Sequence, residues 1–334
     1  MTNVTLVTEF ILMGFSEVRE LQILHAVLFL LIYLGALLGN LLIIVLTTFD
    51  EKLHTPMYFF LKHLSFLDLC YISVTVPKFI SNTLANINSI SFLGCITQVF
   101  LVVFLACTEL ALLTGMSYDR YVAICHPLRY AIIMKRRTCV KLSSSSWLSG
   151  GLSGLLHTAT SFSLPFCEST RIHQFFCEIP QILRLSCSDN YSAEVGALAI
   201  TSSLSFGCFL SIAISYIHIF QTVLKIPSVV GRSKAFSTCI PHLIVVTIFL
   251  HSAAAAYLKP TSACPSFVDW LVSVFYTVLP PTLNPIIYSL RNKDMKAALR
   301  KLLVSEERIS IQVLLTSGFT LYPLNYPGYT SPPV

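Results

Sequence analysis

Long apolar runs broken by short polar clusters dominate the chain. They lie at about His25–Phe49, Met57–Ile80, Cys95–Ile124, Val140–Leu164, Glu194–Thr222, Ala235–Leu258 and Phe267–Leu290. Each is long enough, as a helix, to cross a hydrocarbon core about 30 Å thick. None alternates apolar and polar positions with the period of two that a barrel strand requires. A continuous helix satisfies its own backbone donors in lipid, so the pattern predicts an all-α integral membrane protein with seven transmembrane helices over residues 25–290. Residues 1–24 have too short an apolar run and no basic start, and are read as an extracellular N-terminus rather than a cleaved signal peptide. After the last span, Asp294–Val304 is amphipathic, predicting a juxtamembrane helix over residues 291–304. Residues 305–334, rich in Pro, Tyr, Ser and Thr with no sustained period, are expected to be a disordered cytosolic tail. The halves show no matched pair of broken hydrophobic segments, which argues against an inverted-repeat transporter.

Composition sharpens this picture. Of 334 residues, 54% are hydrophobic and 11% charged, against about 25% charged in soluble domains. The net charge of +6 includes no basic block of the kind that binds nucleic acid. Its distribution sets the orientation. With the N-terminus outside, fifteen Lys and Arg fall in inner segments and five in outer ones, so the C-terminus is cytosolic. Asn3-Val4-Thr5 is then a glycosylation sequon on the outer side at Asn3; a second, at Asn190, sits close to a span.

Five of the eleven cysteines fall on the oxidising side: Cys95, Cys167, Cys177, Cys187 and Cys264. Four of them, Cys95 and three in the second outer loop, permit three pairings among which the sequence does not choose, with Cys264 left over. Within the spans, Asp68 and Glu109 place two carboxylates near mid-membrane. Either a small cation such as sodium lies between them, with Asn40 or Asn284 adding carbonyl oxygens, or at least one acid is protonated. Cys95 to Arg120 is about 37 Å of helix, one membrane thickness, so Arg120 marks the inner end of its span. Asp119-Arg120-Tyr121 there can hold one conformation by ion pairing and release it when the helix moves. Asn284-Pro285-Ile286-Ile287-Tyr288 near the end of the last span permits a kink.

Longer motifs complete the pattern. Leu53-His54-Thr55-Pro56-Met57-Tyr58, Met116-Ser117-Tyr118-Asp119-Arg120-Tyr121-Val122-Ala123-Ile124-Cys125, Lys234-Ala235-Phe236-Ser237-Thr238-Cys239 and Pro280-Pro281-Thr282-Leu283-Asn284-Pro285-Ile286-Ile287-Tyr288 occur in that order. In these the chain resembles the rhodopsin-like G-protein-coupled receptors and, more narrowly, the olfactory receptors. The resemblance implies a receptor, not an enzyme. Its partners would be small volatile odorants and a stimulatory, cAMP-raising G protein of olfactory type, with lipid as solvent. Its location would be the plasma membrane, in the cilia of olfactory neurons. It implies the disulfides Cys95–Cys177 and Cys167–Cys187, and it matches Asp68 and Glu109 to the family's sodium-pocket acids; no other cofactor is implied. Asp119, Arg120, Tyr121, Tyr216, Asn284, Pro285 and Tyr288 match positions that rearrange when the inner face opens. Arg129–Arg137 and Lys234 match the docking surface.

The same matching places an odorant pocket in the outer half of the bundle. Val102, Val103, Ala106 and Cys107 would face it from span three, and Ile200 and Leu204 from span five. Leu250, Ala253 and Tyr257 from span six and Thr277 from span seven would complete it, an almost wholly apolar lining suited to small volatile ligands. The chain departs from the family pattern at Leu250-His251, where many relatives carry Tyr-Gly. It departs again at Pro241, where they commonly carry Ser and where a kink in span six is expected. A receptor for a hormone or lipid is the alternative within the same fold; a channel or transporter is the alternative outside it.

Overall fold

The computed structural model describes residues 7–14, 16, 18–166, 170–188, 190–257, 267–291 and 294–301. Among them are seven long helices: α1 (Arg19–Phe49), α2 (Pro56–Ala85), α3 (Phe92–Cys125), α4 (Arg136–Phe162), α5 (Ser192–Leu224), α6 (Val229–Tyr257) and α7 (Phe267–Arg291). Helix α3 is the centre of the bundle, packing against α2, α4, α5 and α6, while α1 rests on α2 and α7, and α6 on α7. Several helices overrun the apolar stretches by a turn or two, and polar groups fix some of their ends. Ser91 accepts from the Gly94 N–H at 3.1 Å to start α3. Asn86, left-handed at φ 55°, closes α2. Arg19, in the first turn of α1, donates to the Thr83 and Leu84 carbonyls at the end of α2, at 2.6 and 3.1 Å. That places a cation where the helix dipole is negative.

Six of the seven helices are long and apolar enough by composition to cross a membrane; α4 is the exception. Its serines explain how it lives there. Ser145 and Ser146 donate to the Leu142 carbonyl at 2.9 and 2.8 Å, Ser149 to Ser146 and Ser153 to Ser149, so each hydroxyl is satisfied within its own helix. Small residues also let α4 approach α3. A Cβ on Gly150 would stand 2.0 Å from the Thr108 Oγ1 and 2.6 Å from the Phe104 carbonyl oxygen. Large apolar side chains left exposed on the outer faces, among them Leu38, Leu148 and Phe206, meet lipid. Helix α6 runs without interruption through Pro241, and α7 through Pro280, Pro281 and Pro285.

Three outer segments form a small sheet in the order β2-β1-β3: β1 (Glu9–Leu12), β2 (Ser89–Ser91) and β3 (Arg171–Ile172). Strand β1 runs antiparallel to β2, with Phe10 opposite Ile90, and parallel to β3. At the opposite end residues 294–301 form a helix, α8. It buries Met295 and Ala298 against the bundle. Its ends are tied by the Tyr58 hydroxyl to Asp294 at 3.4 Å and by Lys301 to Asp50 at 3.7 Å, while Lys296 and Arg300 stay exposed. Asn3, Cys167, Cys264 and the tail 305–334 lie outside the described residues.

Candidate functional site

The inner end of α3 holds the sharpest polar cluster. Asp119 is buried and pairs with Arg120, whose Nε donates to Asp119 Oδ2 at 3.1 Å and whose Nη2 also pairs with it. The other carboxylate oxygen of Asp119 accepts from the Tyr130 hydroxyl at 2.8 Å. Tyr130 begins a short helical turn, Tyr130–Ile133, in the inner loop. Burial and the neighbouring carboxylate hold its hydroxyl well above the ordinary tyrosine range, so it remains a donor. Tyr121 reaches His126 at 3.1 Å on the same face. Beside this group the loop exposes Leu128 almost fully, at 96%. Lys234 is exposed at the inner end of α6.

One turn deeper, three helices meet on one histidine. The Tyr216 hydroxyl from α5 lies 2.7 Å from His242 Nδ1 on α6, and His242 Nε2 lies 3.0 Å from the Leu113 carbonyl of α3. A carbonyl only accepts, so Nε2 carries the proton and Nδ1 accepts from the tyrosine. Tyr216 is therefore engaged with His242 while Arg120 is engaged with Asp119. Tyr288 is buried nearby on α7, its hydroxyl without a hydrogen-bond partner.

At mid-membrane the four residues Asn40, Asp68, Glu109 and Asn284 are all buried. Asn284 Nδ2 donates to both Asp68 oxygens, at 3.0 and 3.2 Å. Asn40 Nδ2 donates to the Ala36 and Pro281 carbonyls at 3.0 and 2.9 Å. Glu109 lies within electrostatic reach of Asp68. Two acceptors are left over, Glu109 Oε1 and Asn40 Oδ1, each buried with no hydrogen-bond partner. An unpartnered carboxylate oxygen on Glu109, within reach of Asp68 and Asn284, fits a small cation by its chemistry. Pro285 seats against α1, where a Cβ on Gly39 would come within 3.0 Å of its ring.

In the outer half, Val102 and Val103 are 7% exposed. Ala106, Cys107, Leu250 and Ala253 are partly buried, and the Tyr257 side chain lies outside the described set. Thr277 is fully buried, but its hydroxyl donates to the Ser273 carbonyl at 2.6 Å, leaving only its lone pairs to direct a ligand. Ile200 and Leu204 of the expected lining are 55% and 56% exposed. The buried stripe of α5 runs through Ala197, Thr201, Ile212 and Tyr216. Ile200 sits about 110° and Leu204 about 70° around the helix from the centre of that stripe. Ser205 and Cys208, both partly buried, continue that stripe and are the inward-facing residues at this level.

The second outer loop covers this region. Cys95 and Cys177 form a disulfide, as the resemblance implies. Gln98 fixes the same corner by accepting from the Cys177 N–H at 2.8 Å while donating to the Val74 carbonyl, also at 2.8 Å. Cys187 is also disulfide-bonded. Phe175 and Phe176 enter the core, and Tyr276 of α7 stacks edge-on against Phe176 and donates to Glu178. A further cluster has no counterpart among the expected site residues. His157 of α4 lies 2.7 Å from Glu194 and 2.9 Å from Thr201 of α5, and Thr160 and Ser161 donate to the other Glu194 oxygen. Glu194 reads as the polar edge of a span, and a single sequence does not reveal that α4 would meet it with a histidine.

Comparison with known proteins agrees with this architecture. The family model described as Olfactory receptor matches residues 29–306. Human Olfactory receptor 14A16 is 60% identical over 303 residues, covering 91% of this chain and 98% of that protein. Human Olfactory receptor 14J1 is 56% identical over 321 residues, covering 96% and 100%. The crystal structure of squid rhodopsin superposes with a TM-score of 0.67 at 18% identity, covering 86% of this chain and 82% of that one, a likeness of fold.

Proposed function

The chain belongs to the olfactory receptor family, and from that premise we propose that it binds small volatile odorants in the outer half of the bundle and activates a stimulatory, olfactory-type G protein to raise cAMP. Its site of action in this reading is the plasma membrane of olfactory neurons, in their cilia. The observation that carries the proposal is the latched inner end: Arg120 held by Asp119, and α6 held to α3 and α5 through His242. A ligand shifts such an equilibrium only by binding one arrangement more tightly than the other. In this mechanism an odorant against Val102, Val103, Ala106 and Cys107 favours the arrangement in which the inner end of α6 moves outward. His242 then leaves the Leu113 carbonyl, Tyr216 is freed, and Arg120 turns from Asp119 toward the G protein. Exposed Leu128, among the loop cations Arg129, Lys135, Arg136 and Arg137, gives the docking face an apolar contact within a basic rim.

Asp68, Glu109, Asn284 and Asn40 would hold a sodium ion, whose charge would offset the two buried acids. Without it, Asn284 still pins α7 to α2 through Asp68. The test is a panel of volatiles applied to cells expressing the receptor, with cAMP as readout. Arg120→Ala should abolish odorant-evoked cAMP while surface labelling stays at native level. A normal cAMP response from that variant refutes the switch.

A further inference from the structure

The N-terminal strand enters none of the steps above, yet it is built into the outer wall of the bundle. Phe10 is completely buried. Its ring packs 5.9 Å from Phe92 at the start of α3 and 5.8 Å, edge-on, from Phe166 at the start of the second outer loop. These groups belong to an apolar cluster separate from the main core, which also contains both cysteines of the Cys95–Cys177 bond. Val103 belongs to the same cluster and Cys107 packs against it. Two of the four proposed ligand-facing positions on α3 are thus continuous with the N-terminal strand.

The backbone fixes the strand from both sides. The Ile11 N–H donates to the Thr170 carbonyl at 2.8 Å and Met13 to Ile172 at 3.0 Å, on the second loop. Leu12 donates to Asn88 at 2.8 Å, and Phe92 donates back to Thr8 at 2.9 Å, on the first loop. A strand bonded along both edges, with its central side chain in a closed aromatic cluster, is held as part of a sheet rather than draped over it.

We propose that strand β1 is a fixed outer wall of the odorant site, and that Phe10 is a positioning residue for ligand binding. It acts by holding the second outer loop, through Phe166 and the Cys95–Cys177 corner, against the part of α3 that carries Val103 and Cys107. This rests on the pocket reading above. Removing the ring leaves a void beside Phe92, Phe166 and the second outer loop, so the wall moves inward or loosens. The ligand site then loses its shape while the inner latch, a membrane thickness away, keeps its own contacts.

Four variants test this, each read as an odorant concentration–response curve at matched surface level. Phe10→Ala should raise the half-maximal odorant concentration by roughly tenfold or more while leaving ligand-independent cAMP at the native level. Phe10→Leu, which keeps an apolar side chain in the cluster, should give a smaller shift in the same direction, and it decides the question if the alanine variant stays inside the cell. The pair Glu9→Cys with Ser91→Cys joins exposed residues directly opposite each other in β1 and β2. The locked strand should leave the odorant response intact, because a wall does not move during binding. Loss of response in the locked receptor, with the single variants Glu9→Cys and Ser91→Cys responding as the native receptor does, would overturn the proposal by making the strand a gate that must open. Native half-maximal concentrations in the Phe10 variants would overturn it as well. Ala106→Phe, which fills the proposed pocket, separates the two readings. If it responds normally, the pocket assignment fails. If it is silent while the Phe10 variants respond as the native receptor does, only the role of the strand fails.

Discussion

His242 is the residue on which the closed arrangement turns. One imidazole uses both nitrogens between helices, one toward Tyr216 and one toward the Leu113 carbonyl. His242→Ala removes both hydrogen bonds from the closed form, about 1–3 kcal/mol together. In the proposed mechanism the outward arrangement of α6 lacks them, so the equilibrium should move toward activity. Ligand-independent cAMP per surface receptor should rise several-fold or more. Unchanged or lowered basal cAMP at native surface level would show that the bonds do not hold α6. The sequence carried part of this. Asp119 and Arg120 announce themselves as charges at a span end, whereas His242 reads as an ordinary polar break in an apolar run. Its significance depends on which carbonyl of which other helix lies opposite, and that is a property of packing alone.

Among the helices, α4 shows how far hydropathy can be trusted. It is too polar by composition to count as a span, yet its place in the bundle follows from hydroxyls that bond inward and glycines that admit a neighbouring backbone. Gly150→Ala puts a methyl group into the Thr108 side chain and the Phe104 carbonyl, rigid neighbours on α3, and overpacking of this kind costs about 1–3 kcal/mol or more. Gly35→Ala on α1 meets nothing within 4 Å and should be neutral or slightly stabilising through helix propensity. Thermal unfolding in detergent should separate the two variants clearly; equal melting temperatures would refute the close approach of α3 and α4. The helix boundaries were legible to within a turn or two, because a hydrocarbon slab of fixed thickness sets them. The rotation of each helix was less so. On α5 serines and threonines are interspersed with apolar residues around the helix, so no apolar stripe marks one face, and Ile200 and Leu204 looked as suitable for a pocket as Ser205 and Cys208. Only the bundle shows that the first two are exposed while Ser205 and Cys208 are partly buried.

Across the whole molecule, the buried polar centre joins helices that the proposed activation would move relative to one another. Asn40 ties α1 to the Pro281 carbonyl of α7, Asn284 ties α7 to Asp68 of α2, and Glu109 of α3 faces the same space with one oxygen unpaired. If a sodium ion completes this centre, it binds the arrangement in which Asp68, Glu109 and Asn284 lie together, which here is the one with Arg120 held by Asp119. Preferential binding then stabilises that arrangement by RT ln(1 + [Na⁺]/Kd), about 1.4 kcal/mol at tenfold above Kd. Raising sodium at constant ionic strength should therefore lower basal cAMP, move the odorant response to higher concentration and raise the melting temperature of the native receptor. Glu109→Gln keeps the shape of the side chain and removes one negative charge, which lowers affinity for the cation and relieves the repulsion from Asp68. That variant should fold, change basal activity and lose all three sodium responses. A native receptor whose ligand response and stability both ignore sodium would mean that proton sharing keeps these acids neutral, and the centre would then couple the helices through hydrogen bonds alone.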